Sequence, residues 1–311
     1  MLTQTLTDAR AWEAGTLDQP ARWYLPLSER CLAALDEALA QLARHPRPIA
    51  DVRAEGALAA CAGELRPALE ALEKGRGFVV IELPPERFAK EQWPTVYWLV
   101  GQLLARPIEQ NVQGTILYDV RDTGQDVRYG ARFSVTNTES TFHTDNAFCE
   151  EATDYVGLLC IQPARTGGLS QVVSAHAVHN RLLREQPELL KTLYQTFHVD
   201  RRSGVRPGEG PTVRVPVMQW DGQGLFMRYL RYWIEAGHEK VGEPLTPAQT
   251  QAFDALDKVL ADPSLRAEFA LKPGDMFFTN NRWILHNRTG FEDYAEPERK
   301  RHLVRLWLRR G

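Results

Sequence analysis

The stretch Tyr155-Val156-Gly157-Leu158-Leu159-Cys160 is a short apolar run that starts with an aromatic and a β-branched residue. A run of this length and composition predicts a buried β-strand. Six more runs of this kind follow residue 114, and turn sequences rich in glycine and proline separate many of them. They are residues 115–118, 171–174, 213–217, 225–229, 276–278 and 302–308.

Few of these predicted strands alternate with helices, which argues against a doubly wound sheet. Two predicted helices interrupt the strands. One runs over about 177–190, and the other begins at the capping box Thr246-Pro247-Ala248-Gln249. The pattern predicts an antiparallel sandwich or jelly roll, mainly β with flanking helices. We expect one catalytic domain over 1–311, with a largely helical part at 1–110 and the β core at 111–311.

The composition excludes several classes of function. The 311 residues carry 37 Lys and Arg against 40 Asp and Glu, a formal net charge of -3, so the basic excess typical of nucleic-acid binding is missing. The longest apolar runs are strand-sized, and the N-terminal sequence does not resemble a signal peptide. Four scattered cysteines without a CxxC motif do not suggest a disulfide framework. We therefore expect a cytoplasmic protein with a small-molecule substrate.

The segment Thr141-Phe142-His143-Thr144-Asp145 carries the strongest chemical signal. On an extended strand, His143 and Asp145 would project from the same face. One imidazole and one carboxylate are two of the three ligands in the 2-His-1-carboxylate set that binds Fe(II). The pair also occurs by chance, because many strand histidines are ordinary half-buried residues.

His286 is the best candidate for a third ligand, since it follows the apolar residues Trp283-Ile284-Leu285 near a predicted strand end. The other histidines lie in turns, at a helix start, between arginines or without a carboxylate at ligand spacing. We interpret them as exposed or capping residues. They are His45, His176, His179, His198, His238 and His302.

Two arginines share one face of the last predicted strand. Arg301, Leu303 and Arg305 alternate with His302, Val304 and Leu306. Guanidinium groups on a largely apolar strand suit the bidentate binding of a carboxylate. A solvated face on an edge strand is the alternative interpretation.

These motifs together resemble the TauD/TfdA family of Fe(II)/2-oxoglutarate-dependent dioxygenases, within the clavaminate-synthase-like superfamily. The resemblance covers about residues 130–311 and rests on four elements in the family's order. They are His143-x-Asp145, Gly167-Gly168-Leu169-Ser170, His286 with Asn287-Arg288-Thr289-Gly290-Phe291, and Arg301-x-x-x-Arg305.

The resemblance implies a double-stranded β-helix (cupin-like) fold in which His143, Asp145 and His286 hold iron. It implies that Arg301 and Ser170 bind the distal carboxylate of 2-oxoglutarate, and that Arg305 lies near this co-substrate or an anionic group of the main substrate. The implied reaction uses O2, releases succinate and CO2, and hydroxylates a C–H bond. Because the carboxylate ligand Asp145 is retained, hydroxylation or desaturation is favoured over halogenation, and the sequence does not distinguish the first two.

The sequence points to a small polar substrate, anionic or zwitterionic and amino-acid-like among the options. Candidate substrate-binding residues lie beside the first ligands, in the aromatic and cationic stretch 227–233, and before His286. They are Glu139, Thr141, Arg228, Tyr229 and Trp283, with Arg128, Tyr129 and Arg132 on a covering loop and Asn281 in the wall. Ordinary packing of the aromatic residues is the alternative.

Two other classes of function stay open from the residues. A zinc hydrolase could use the same His, Asp and His ligands, but it leaves Arg301, Arg305 and Ser170 without a role. A non-catalytic jelly-roll binding protein would normally lack a ligand, and none is missing here. The oligomeric state, including a homo-oligomer built on the N-terminal helices, stays open as well.

Overall fold

Strands dominate the second half of the chain and helices the first, in a computed structural model that describes residues 1–125, 133–149, 152–202, 205 and 208–311. The strands are β1 Tyr24–Pro26, β2 Phe78–Glu82, β3 Arg106–Ile108, β4 Leu117–Val120, β5 Tyr155–Gln162, β6 Thr166–Gly167, β7 Ser170–Ser174, β8 Thr196–Asp200, β9 Thr212–Pro216, β10 Met218–Trp220, β11 Leu225–Met227, β12 Arg266–Phe269, β13 Asp275–Asn280, β14 Ile284–Arg288, β15 Phe291–Glu292 and β16 His302–Arg309. The α-helices are α1 Glu29–Arg44, α2 Gly56–Ala59, α3 Arg66–Glu73, α4 Trp93–Leu104, α5 Ala175–Glu185, α6 Pro187–Leu193, α7 Arg231–Val241 and α8 Pro247–Leu260.

Two sheets face each other across the centre of the molecule. Within the described residues the larger sheet has seven strands in the order β1-β2-β13-β5-β16-β3, and β4 pairs with β16 beside β3. Only the β1–β2 pairing in this sheet is parallel. The smaller sheet has the order β12-β7-β14 and is antiparallel. The prediction of a mainly β jelly roll with flanking helices is confirmed, although the described sheets do not close into a barrel.

The larger sheet separates two hydrophobic cores. Along β16, Val304, Leu306 and Leu308 pack into a core shared with the N-terminal helices α1, α3 and α4. Leu303 on the opposite face belongs to the core that includes the smaller sheet and helices α5 to α8. This period-2 alternation fixes which β16 side chains point between the sheets.

Local sequence signals set several helix boundaries. The Ser28 hydroxyl accepts the backbone N–H of Cys31 and begins α1, and Thr246 and Gln249 form the expected capping box of α8. The helix predicted over 177–190 is in fact two helices, because Pro187 starts α6 and cannot continue the hydrogen bonding of α5. In the largely helical region 1–110, three short strands also join the larger sheet.

Two other expectations were wrong. The strand predicted over 225–229 ends at Met227, and helix α7 begins at Arg231. The segment 141–148 is not a strand, and only His143 makes an isolated bridge. Among the described residues, the helices are too short or too polar to cross a bilayer.

Candidate metal centre and active site

A cavity of about 160 Å³ lies between the two sheets. His143 and Asp145 line it from the loop before β5, and His286 lines it from β14. Arg301, Leu303, Arg305 and Trp307 reach it from the strand β16 or its start. The fold therefore brings together residues that are more than 140 positions apart in the sequence.

The backbones of the two histidines are directly paired. The N–H of His143 donates to the His286 carbonyl at 3.0 Å, and the N–H of His286 donates to the His143 carbonyl at 2.9 Å. This isolated antiparallel bridge joins one residue of the loop to strand β14. It sets the two imidazole rings 4.4 Å apart, measured between their centroids.

The three candidate ligands present their donor atoms to one another. Asp145 Oδ1 lies 3.6 Å from Nε2 of His143 and 3.9 Å from Nε2 of His286, and a set of one donor atom from each residue fits within 4.8 Å. These separations are too long for hydrogen bonds. They leave room for one ion between a carboxylate and two imidazoles, which is the donor set preferred by non-haem Fe(II).

The protonation states also suit a metal. His143 Nδ1 lies 2.7 Å from the Thr141 carbonyl oxygen, which can only accept, so Nδ1 carries a proton and Nε2 is the ring nitrogen that can bind a metal. Burial, together with the nearby His143, lowers the pKa of His286 to about 3, so its ring is neutral. Burial raises the pKa of Asp145, but Arg305 and the two histidines outweigh burial and hold that pKa well below its usual range.

Asn281 holds the backbone of the carboxylate ligand. Its side-chain oxygen accepts the N–H of Asp145 at 2.7 Å, while its amide nitrogen donates to the carbonyls of Asp145 and Thr153 at 2.9 and 3.0 Å. We expected Asn281 in the wall near His286. Its contacts instead fix the loop that carries Asp145.

Arg301 and Ser170 lie where a second anion would bind. Arg301 is buried, burial lowers its pKa to about 10, and its Nη1 atom has no hydrogen-bond partner among the described residues. A buried, charged guanidinium with an open donor fits a carboxylate of 2-oxoglutarate. Gly167 and Gly168 have φ values of +73° and +68°, and a Cβ on Gly168 would lie 3.2 Å from Arg301 Nε. The absence of side chains in the Gly167-Gly168 turn therefore leaves room for the Arg301 guanidinium beside it.

Arg305 is already engaged with the carboxylate ligand. Its Nη1 lies 3.1 Å from Asp145 Oδ2 and its Nε donates to Gln110 Oε1 at 2.8 Å. Trp307 donates its indole N–H to the same Asp145 oxygen at 2.7 Å. Sequence reasoning missed Trp307, although extending the Arg301, Leu303, Arg305 alternation by two residues would have found it.

The candidate substrate residues are not in the described lining of the cavity. Glu139 and Thr141 are exposed, whereas Ser140 between them is buried and lines the cavity. The Thr141 carbonyl orients His143. Arg228 donates to the Cys149 carbonyl, and buried Tyr229 donates to Asp257. Trp283 packs edge-on against His176.

This placement differs from the expectation that those five residues form the wall, and helix α7 accounts for Arg228 and Tyr229, which precede it. Because the chain turns into a helix at Arg231, Tyr232 and Trp233 take the wall position together with Arg202. Arg128, Tyr129 and Arg132 lie outside the described residues.

A second group of metal-binding residue types lies in the helical layer. Cys31, Cys61 and Glu64 also bring donor atoms within 4.8 Å of one another. Burial raises the pKa of Cys31 to about 12, so its thiol is protonated at neutral pH, whereas metals bind the thiolate. The His143, Asp145 and His286 group is therefore the better metal centre.

A family model described as "Taurine catabolism dioxygenase TauD, TfdA family" matches residues 33–307. The chain belongs to the TauD/TfdA family of dioxygenases. It is 28% identical to "FR-33289 synthase" of Streptomyces rubellomurinus (strain ATCC 31215), over 99% of this chain and 91% of that protein. It is 30% identical to "Uridine-5'-phosphate dioxygenase" of Streptomyces sp over 55% of this chain and 61% of that protein.

A solved structure of asparagine oxygenase with Fe(II), 2S,3S-3-hydroxyasparagine and succinate shares the fold of this TauD/TfdA member. The two align with a TM-score of 0.69 and 19% identity, over 92% of this chain and 93% of that one. Membership in the family makes the protein a dioxygenase that depends on Fe(II), 2-oxoglutarate and O2. The zinc hydrolase and the non-catalytic binding protein are correspondingly disfavoured.

Proposed function

We propose that this TauD/TfdA dioxygenase hydroxylates a C–H bond of a small anionic metabolite in the cavity between its sheets. His143, Asp145 and His286 would hold Fe(II), and Arg301 with Ser170 would bind 2-oxoglutarate. One observation carries the proposal: the three ligand side chains and the open Nη1 of buried Arg301 line the same cavity.

Iron bound there would activate O2 with electrons from 2-oxoglutarate, which leaves as succinate and CO2 while the substrate C–H bond is hydroxylated. The protein's own contribution is to hold the ligands, orient both organic substrates and exclude water. Neutral His286 and the fixed tautomer of His143 keep ring nitrogens available to the metal. Apolar walls from Leu158, Phe277 and Leu303 keep the cavity dry around the reacting atoms.

The charge of the cavity favours an anionic substrate. Among the described lining residues, Asp145 is the single carboxylate, whereas Arg202, Arg288, Arg301 and Arg305 supply four guanidinium groups. Arg305 balances Asp145, Arg202 lies 3.9 Å from Asp200, and 2-oxoglutarate with Fe(II) adds no net charge. Arg288 and Arg301 therefore leave a positive excess in the described lining. A free ammonium group on the substrate would find no described counter-ion there, because Glu139 is exposed and outside the lining.

Arg202 and Trp233 are the proposed contacts for the anionic group. The guanidinium carbon of Arg202 lies 4.1 Å from the centre of the Trp233 ring, and its Nη1 lies 3.9 Å from Asp200 Oδ2, so both neighbours hold the side chain at the cavity wall. A planar, oriented guanidinium suits carboxylate, sulfonate, phosphonate and phosphate groups. The relative named uridine-5'-phosphate dioxygenase, whose name specifies a phosphate ester, supports this class.

The test measures succinate release with Fe(II), 2-oxoglutarate and a panel of small phosphates, phosphonates, sulfonates, carboxylates and amino acids. We expect an anionic compound without a free ammonium group to stimulate succinate release, and Zn²⁺ to support none. His143→Ala should abolish the release, because it removes a ligand. Succinate release by His143→Ala at the wild-type rate would contradict the metal assignment, and stimulation by amino acids alone would contradict the substrate class.

Arg301→Gln separates co-substrate binding from metal binding. Loss of a charged hydrogen bond to 2-oxoglutarate should raise its KM roughly 10- to 100-fold. Ser170→Ala is the milder variant, since it removes one neutral donor. An unchanged KM in Arg301→Gln would remove this arginine from the proposed co-substrate site.

We also propose that the protein works in the cytoplasm. All four cysteines are free in the structure, and three are buried. Reduced thiols are typical of a reducing compartment, which would also keep iron ferrous. The homo-oligomer considered from the sequence stays a prediction, and sedimentation velocity would test it.

A further inference from the structure

The two oxygens of Asp145 have different partners. Oδ1 lies 3.6 and 3.9 Å from the imidazole nitrogens of His143 and His286. Oδ2 accepts the indole N–H of Trp307 at 2.7 Å and lies 3.1 Å from Nη1 of Arg305. The carboxylate is buried, so each of these contacts acts without competition from solvent.

We propose that Trp307 is a positioning residue of the metal centre, which works with Arg305 to hold Oδ2 so that Asp145 offers Oδ1 to the metal. This inference rests on the proposed function, because it assumes that Asp145 is a metal ligand. Trp307 and Arg305 touch Asp145 and act on the metal through it.

The surroundings of Trp307 make it a rigid donor. Trp307 is 4% exposed, and it lies two residues after Arg305 on the same, cavity-facing side of β16. The two side chains also stack, with the Arg305 guanidinium carbon 4.9 Å from the centre of the Trp307 ring. Gln110 holds Arg305 from its other side by accepting its Nε–H. Packing and hydrogen bonds thus fix both donors before any metal binds.

The energetic reason is preorganisation. A carboxylate free to rotate about its Cβ–Cγ bond would lose that freedom on binding a metal, and it could turn either oxygen toward the ion. Donors that hold Oδ2 remove this cost in advance, and loss of such an outer partner commonly weakens metal affinity 10- to 100-fold. Metal affinity is therefore the property that a positioning role changes.

The experiment compares Trp307→Phe with Trp98→Phe. Trp98 is the matched control, because it is also 4% exposed and also donates its indole N–H, to the Val52 carbonyl at 2.9 Å, but it lies in the N-terminal helical layer. Mn²⁺, a redox-stable ion for oxygen and nitrogen ligands, is titrated into metal-free protein without 2-oxoglutarate, and free Mn²⁺ is measured by electron paramagnetic resonance. The thermal midpoint of each metal-free variant is recorded in parallel.

We expect Trp307→Phe to weaken Mn²⁺ binding about 10-fold, while Trp98→Phe binds Mn²⁺ as wild type does even if its thermal midpoint falls equally. Arg305→Lys, which keeps the charge, should retain part of the affinity that Arg305→Gln loses. Wild-type Mn²⁺ affinity in Trp307→Phe, or an equal loss in Trp98→Phe, would overturn the inference. If wild type binds no Mn²⁺ and releases no succinate, the proposed function itself fails, and the two failures are thereby distinguished.

Discussion

His143 and His176 differ in burial and in the partners of their ring nitrogens. His143 is oriented by the Thr141 carbonyl and faces the cavity. His176, expected from the sequence to be exposed or to cap a helix, is fully buried in α5, and both of its ring nitrogens lack a hydrogen-bond partner among the described residues. It packs edge-on against Trp283 at 5.2 Å between ring centroids. His176 therefore behaves as a core residue that must stay neutral.

His176 should make the free energy of unfolding depend on pH. Burial, and then the nearby Arg10, lowers its pKa from 6.5 to about 3 in the folded protein. The unfolded chain takes up a proton near pH 6.5 and the folded chain does not, so stability is complete above that pH and declines as the pH falls toward 3. The contribution lost by pH 5 is roughly 2 kcal/mol.

His176→Phe tests this expectation, since a phenyl ring can keep the contact with Trp283 and cannot be protonated. Urea unfolding of the metal-free wild type and variant is measured at several pH values from neutral to acid. We expect the variant to gain stability relative to wild type as the pH falls below 6.5. Two parallel pH curves would show that His176 does not titrate with a lowered pKa.

At the scale of elements, helix α7 forms part of the cavity wall and depends on close contact with strand β8. A Cβ on Gly237 would lie 2.4 Å from the His198 carbonyl oxygen, so glycine allows the helix to lie directly on the strand. Trp233 and Tyr232, one turn earlier in α7, line the cavity. The position of this wall therefore depends on the absence of one methyl group.

Gly237→Ala should push α7 away from β8. We expect a loss of about 1–3 kcal/mol in the free energy of unfolding and a higher KM for the main substrate, with less change in the KM for 2-oxoglutarate. Gly63→Ala is the control, because no atom lies within 4 Å of a Cβ built there. Urea unfolding and steady-state kinetics measure both variants, and equal stability of Gly237→Ala and Gly63→Ala would contradict the packing argument.

The periodicity of apolar residues predicted a helix or strand well where one face of that element is apolar along its whole length. The alternation of Arg301, Leu303 and Arg305 with Val304 and Leu306 holds, because a strand between a helical layer and a cavity must sort its side chains by face. Helix α7 was missed because its first turn, rich in aromatic residues, resembles a strand locally. Only contact with β8 shows which structure these residues adopt.

The metal-binding segment shows a different limit. The spacing of His143 and Asp145 suggested residues that the structure does bring together, but on the wrong structural premise, since the segment is a loop with one isolated bridge rather than a strand. Its conformation is fixed by distant partners, chiefly His286 and Asn281, and no local pattern encodes them. The same holds for the cavity wall, to which Arg202, Trp233 and Phe277 come from three separate elements.

At the scale of the whole molecule, the candidate ligands connect parts of the chain that pack in different ways. His286 belongs to the smaller sheet, whereas Asp145 is held by Trp307 and Arg305 of the larger sheet and by Asn281 after β13. His143 joins the loop to β14. A metal ion bound by all three ligands would therefore join the smaller sheet to a loop that Trp307 and Arg305 hold against the larger sheet. Its binding free energy would add to the stability of the folded chain.

We expect bound Mn²⁺ to raise the free energy of unfolding of the whole protein and not only to order the residues around the metal site. An ion that binds the folded state alone adds about 2.7 kcal/mol to the free energy of unfolding at a concentration 100 times its Kd. The shift is measured as the thermal midpoint of metal-free protein against increasing Mn²⁺, followed by circular dichroism so that the global fold is observed. His143→Ala is the control, because it keeps every other ion-binding group on the surface. An equal shift in both proteins would mean that Mn²⁺ stabilises the fold from elsewhere, since His143→Ala lacks one of the three ligands that would hold the ion.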